Sequence, residues 1–137
     1  MKVQMKKAII AIAVLLLTGC AYAPPTAQEI AAVGGYGAPL TIDWQAAVKT
    51  WFFDNLKDPM SAQYVFYKPF PGYVHTAPIE GAKLLVGYKV VVKVNAKNSF
   101  GGYIGFRPYV FLFRDNRVIF AVGPDSATDT AELVPYE

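Results

Sequence analysis

The chain has 137 residues, 13 Lys+Arg against 10 Asp+Glu, 54% hydrophobic residues and one cysteine. That length suits one small domain with a real core. A lone cysteine excludes both an internal disulfide framework and a cysteine metal cluster, and the charge excess is too small and too unevenly placed to argue for nucleic acid.

The unevenness starts at the N-terminus. Lys2, Lys6 and Lys7 precede the apolar run Ala8–Leu17, which ends in Leu17-Thr18-Gly19-Cys20. Ten apolar residues are too few for a bilayer core of about 30 Å, which takes about 20, and a basic head before a short apolar core is secretory-signal grammar. Met5-Lys6-Lys7 makes a complete basic head too, so Met5 is an alternative start. Leu17-Thr18-Gly19-Cys20 resembles the lipobox of bacterial lipoproteins. The resemblance implies cleavage between Gly19 and Cys20, a diacylglycerol thioether on the Cys20 sulfur, and acylation (palmitate) of its new amino group. Two or more acyl chains anchor a protein stably where one does not. Ala21 in place of Asp implies, by the same analogy, transport to the outer membrane, facing the periplasm or the outside. Removal of residues 1–19 takes three lysines with it and leaves ten bases and ten acids, a formal charge of zero.

Residues 20–40 hold Pro24-Pro25, Gly34-Gly35 and Gly37 and read as a flexible, mostly extended linker; Gln28–Val33 is too short to be helical alone. Thr41–Lys57 is the helix: Trp44, Ala47, Val48, Trp51 and Phe52 recur at spacings of three and four, Thr41 or Asp43 can cap it, and Asp58-Pro59 stops it. The two tryptophans are expected to pack this helix on a sheet. Asp58 is expected to cap a short turn begun by Pro59.

Gln63–Tyr67 carries strand-type residues, residues 71–83 (with His75, Pro78 and Gly81) read as a loop, and Leu84–Val94 alternates as a strand with one greasy and one mixed face. Tyr103–Phe113 reads as a second long strand, with Gly105 and Pro108 marking a bulge or an edge. Asp115-Asn116 is turn chemistry joining it to Val118–Val122. The fold class is α+β: one N-terminal amphipathic helix on an antiparallel sheet of about four strands. The domain spans 41–123, and 124–137 reads as a C-terminal tail.

Leu56–Tyr64, with Lys57-Asp58-Pro59-Met60-Ser61-Ala62-Gln63-Tyr64 (KDPxSAxY), and Val94–Phe106 (VNAKNSFGGYxGF) together resemble a group of small envelope proteins of Gram-negative bacteria and their prophages. The resemblance covers roughly residues 43–122 and implies an envelope location but no reaction. Relatives in that group often carry a cysteine before the second segment; Val91 and Val92 stand there in this chain, which removes any disulfide role.

The candidate site is the second segment. Asn95, Lys97, Asn98 and Ser99 gather hydrogen-bonding groups at one end of the sheet, Gly101-Gly102 permits close approach or positive φ, and Phe100, Tyr103 and Phe106 offer flat apolar contacts. They read either as a recognition loop for an envelope protein or glycan, or as turn chemistry that joins two strands.

No catalytic constellation accompanies them. His75 is the only histidine, and no HExxH, P-loop, GxSxG or EF-hand pattern occurs. The reading is therefore no enzyme, no metal, no cofactor and no nucleic-acid partner. Lys89, Lys93, Lys97, Arg107, Arg114 and Arg117 read either as a modest basic patch or as a solvated strand face. The sequence describes an outer-membrane lipoprotein acting as a non-catalytic binding or accessory module, held to the membrane through Cys20. The alternative is a prophage-type exclusion factor or inhibitor of a surface receptor or wall-degrading enzyme. Replacing Cys20 with Ser is expected to leave the precursor uncut and unlipidated, read as slower gel migration and loss of radiolabelled palmitate.

Overall fold

The computed structural model describes residues 23–124; the expected signal segment, Cys20 and most of the expected tail lie outside them. Within the described residues the architecture is α+β. A short helix α1 (Ala27–Ala32) and a 12-residue helix α2 (Trp44–Asn55) precede five strands: β1 (Gln63–Phe66), β2 (Phe70–His75), β3 (Leu84–Asn95), β4 (Arg107–Arg114) and β5 (Arg117–Val122).

All pairings are antiparallel. β3 and β4 are central, β5 flanks β4, and β1 and β2 lie end to end along the other side of β3. β1 matches Gln63 to Asn95, and β2 matches Phe70 to Lys89. The register slips by one residue between them, at Lys68-Pro69. A one-residue slip exchanges the faces, so Tyr64 and Phe66 share the α2 side with Val92 and Val94, while on β2 the odd residues take that side. β1 and β2 thus act as one bulged strand along β3, and the sheet has five strands where about four were expected.

Residues 71–83 were expected to form a loop, and the structure corrects this: Phe70–His75 is a strand. Pro71 and Gly72 mimic loop chemistry, yet β2 has a sheet neighbour on one side only, where proline is tolerated. Gly72 also leaves room for the Lys89 side chain; a Cβ there would lie 2.9 Å from the Lys89 Cβ. β4 is shorter than expected, starting at Arg107 rather than Tyr103. Gly105 sits at φ +92° and donates its N–H to the Asn95 side chain at 2.9 Å, turning the chain away from the ladder. Pro108 pairs with Lys93 but lies beyond the last β4–β5 pair, Val110 with Val122, so β4 has a single neighbour there, the edge position foreseen for it. Asp115 and Asn116, at φ 51° and 61°, make the two-residue hairpin turn that matches sheet twist.

α2 is capped by Asp43, whose Oδ1 accepts the Ala46 N–H at 3.0 Å. Its stripe falls where the spacing put it. Trp44, Val48 and Phe52 are buried against Val90, Val92, Val94, Phe111 and Phe113, with Ala47 and Trp51 packed on the margin. Phe52 meets Tyr109 edge-on at 4.8 Å and Trp51 meets Phe111 at 5.2 Å, geometries that add to plain burial. Thr41, the other cap candidate, serves elsewhere: its N–H and Oγ1 bond the Asn116 side chain at 3.0 and 2.8 Å, tying the entry to α2 onto the β4–β5 turn.

The presumed linker is in part structured. Thr26 and Glu29 form a reciprocal capping box on α1, and the Glu29 carboxyl is held below the usual range, chiefly by the Thr26 N–H. The Gly34 carbonyl accepts from Arg114 Nη2 at 3.1 Å. At Gly87 a Cβ would lie 2.2 Å from the Phe113 carbonyl oxygen, so only glycine lets β3 and β4 approach there.

Phe52→Ala is expected to cost about 3–5 kcal/mol, the range for buried aromatics. Trp51→Ala, at a half-buried position, is expected to cost less than Phe52→Ala. Urea unfolding followed by far-UV circular dichroism ranks the two.

Candidate functional site

The connection from β3 to β4 closes one pole of the sheet, and the α2-to-β1 segment closes the same pole. Asp58 starts a 3-10 turn at Pro59–Ser61, its Oδ1 accepting the Ser61 N–H at 3.3 Å. The Ser61 hydroxyl donates to the Asp58 carbonyl at 2.9 Å and accepts the Lys97 N–H at 2.9 Å. The Ser61 carbonyl accepts from the Tyr103 hydroxyl at 3.1 Å. Lys57 Nζ donates to Ser99 Oγ at 2.9 Å, and Asn95 Nδ2 donates to Gln63 Oε1 at 3.2 Å. Four hydrogen bonds therefore stitch together Lys57–Gln63 and Asn95–Tyr103, stretches more than 30 residues apart.

The tip is held from within. Asn98 Oδ1 accepts the N–H groups of Phe100 and Gly102 at 2.9 and 3.1 Å. Its own N–H donates to the Gly102 carbonyl, and the Gly101 N–H donates to the Asn98 carbonyl. An Asx side chain satisfying nearby backbone is the usual way to fix such a turn. Lys97 pairs with Tyr103 in a lone bridge, and its ammonium lies 5.5 Å from the Tyr103 ring centre.

The structure thus divides the expected site residues. Asn95, Asn98, Ser99 and Lys97 spend hydrogen-bonding groups on the fold, and Tyr103 does so through its hydroxyl. Phe100 and Phe106 do not share that work: Phe100 is 96% exposed at the tip, and Phe106 is 49% exposed at its base. Two residues that the sequence reading left out join them. Met60, 85% exposed, lies in the 3-10 turn, and Ile104, half exposed, lies between Tyr103 and Phe106 in the loop. Each was legible only as a variable position inside a motif. A shallow open cleft of about 260 Å³ runs between the two segments, lined in part by Leu56, Lys57, Ala96 and Ile104.

Lys57 and Lys97 line the cleft at this pole; Asp54 is exposed in the last turn of α2 at the same end, and Asp58 caps Pro59–Ser61. The broader basic strand face does not form. Lys89 is buried along β2, with its ammonium 5.8 Å from the Tyr73 ring centre, and Lys93 covers Tyr67 at 5.6 Å. His75 stands at the far end of β2, edge-on to Tyr73 at 5.8 Å. Burial pushes the Tyr64 phenol above its ordinary value, so it stays neutral on the α2 side.

Among the described residues no three His, Cys, Asp or Glu side chains converge as a metal set, and no helix is long and apolar enough to cross a membrane. No protein-family model, curated protein or solved structure matches the chain.

Ser61→Ala is expected to cost about 1–3 kcal/mol, because it unpairs the half-buried Lys97 N–H. Asn98→Ala is expected to cost about 1 kcal/mol and to speed amide exchange at Phe100 and Gly102 specifically. Hydrogen exchange by NMR reads both; unchanged exchange at those two amides would mean that Asn98 does not hold the tip.

Proposed function

We propose that the protein is an outer-membrane lipoprotein, anchored through acylated Cys20, that works as a non-catalytic binding module of the cell envelope. The signal grammar ending in Leu17-Thr18-Gly19-Cys20 supports the anchor. One observation carries the binding role: Phe100 stands 96% exposed on a loop whose polar side chains are committed to holding its shape. A large apolar side chain kept in water on a fixed turn contributes nothing to folding. It suits a protein partner, because aromatic residues dominate binding hot spots and a loop ordered beforehand loses little entropy on docking. Met60, Ile104 and Phe106 extend the same surface, and the polar groups beneath them act as its frame. No group of acid, base and nucleophile is asked to do chemistry.

The test is cross-linking capture from intact envelopes with the full chain. Phe100→Ala/Phe106→Ala is expected to lose a partner that wild type retains while remaining folded, with at most a small drop in melting temperature from the half-exposed Phe106. Retention of the partner by that variant would remove this pole from the binding surface.

A further inference from the structure

Among the described residues only one face of the sheet packs under a helix. Val90, Val92, Val94, Phe111 and Phe113 lie beneath α2. Successive strand residues point to opposite faces, so Lys89, Val91 and Lys93 of β3 and Val110 and Leu112 of β4 belong to the other. The register sets Val91 beside Val110 and Leu112 beside Lys89, and brings Phe120 and Val122 of β5 to the same side. This second face is sealed at its centre: Val91 and Leu112 are 0% exposed and Val110 1%. No described helix accounts for that, since α2 is on the far side and α1 buries none of its own residues. The burial is that of a single chain, so the cover belongs to the parts of it outside residues 23–124.

We propose that residues 125–137 turn back at the end of β5 and lie across this second face, closing the core from the side opposite α2. Two observations choose them over residues 1–22. The first is connection. Val122 already pairs with Val110 on this face, and thirteen residues at about 3.3 Å each reach well past the roughly 10 Å from β5 to β3. The second is charge. None of the five strands holds an Asp or Glu, and Lys89 and Lys93 flank Val91. Residues 125–137 carry Asp125, Asp129, Glu132 and Glu137 and no base, with Leu133, Val134 and Tyr136 to meet the apolar strip. Residues 1–22 carry Lys2, Lys6 and Lys7 and no acid. Burying a cation such as Lys89 is costly unless opposite charge comes with the cover, and the acidic segment brings it. The stretch that reads from sequence as a tail thereby becomes a second layer of the fold.

Methyl NMR of the full chain tests this. Nuclear Overhauser contacts are expected from Leu133 and Tyr136 to Val91, Val110 or Leu112, whose methyls should also be shielded from a soluble paramagnetic agent. Leu133→Asp/Tyr136→Asp is expected to abolish the contacts and the shielding, while Val90 under α2 stays shielded and shows that the domain is still folded. The wild-type contacts decide even where that variant fails to fold. Their absence would overturn the inference, as would contacts to the same three residues from residues 1–22. Contacts seen only between copies, in a mixture of labelled and unlabelled chains, would overturn it in favour of a second copy.

Discussion

Ser61 is the point on which this structure turns. One hydroxyl and one carbonyl, within a three-residue 3-10 turn, join the end of α2, the start of β1 and the β3–β4 connection. The turn fixes how α2 leaves the sheet, because Asp58 and Pro59 set its start and Ser61 closes it. The same residue then receives the Lys97 N–H just after β3 ends, where a backbone donor has left the ladder and needs a partner. Helix-on-sheet packing supplies the larger energy through Phe52, Phe111 and their neighbours, but packing of rings alone does not specify the path of two connections. The Ser61 knot does.

From that knot follows the division of labour at the pole. Eleven residues between β3 and β4 could have been a loose connection. Asn98 and Asn95 instead tie its tip and its base, each accepting backbone N–H groups. With the polar groups so committed, the exposed side chains on these two segments include the apolar Phe100, Met60, Ile104 and Phe106. The architectural role and the proposed recognition role fall on different side chains of one segment, and a polar frame that holds an apolar tip is the arrangement a preorganised contact requires.

The α2 stripe and the β3 alternation were legible because each keeps one period over nine or more residues. Asp58 as a cap and Asp115-Asn116 as a turn were legible because their chemistry is local. β2 was not: Pro71-Gly72 is loop chemistry wherever the neighbouring strand is unknown, and only the register against Tyr88 and Gly87 makes it an edge strand. Nor was the late start of β4, since Tyr103-Ile104 has strand composition and is drawn out of the ladder by a contact between Asn95 and Gly105. The Asn95–Phe106 segment was legible as the connection between two strands, but not the work of its separate side chains. Sequence pattern ranked Asn95, Asn98 and Ser99 with Phe100, because residue type alone does not say whether a side chain's hydrogen bonds are spent within the chain. Met60 and Ile104 went unnoticed for the converse reason: an apolar residue in a turn carries no signal until its exposure is known.

Topology accounts for the polarity of the molecule without any further device. In an antiparallel sheet, β4 must run from the pole where β3 ends to the pole where β3 began. Its hairpin with β5 then lies with the β2–β3 connection, and the long β3–β4 connection lies alone with the α2–β1 segment. Asn116 and Arg114, at the hairpin pole, capture the chain entering from the N-terminus. Any attachment made upstream of residue 34 therefore pulls on the hairpin pole, and any contact made by Phe100 is made at the other. The alternation of strand directions that gives this small sheet its core also sets the entry of the N-terminal chain and the exposed Phe100 loop at opposite ends.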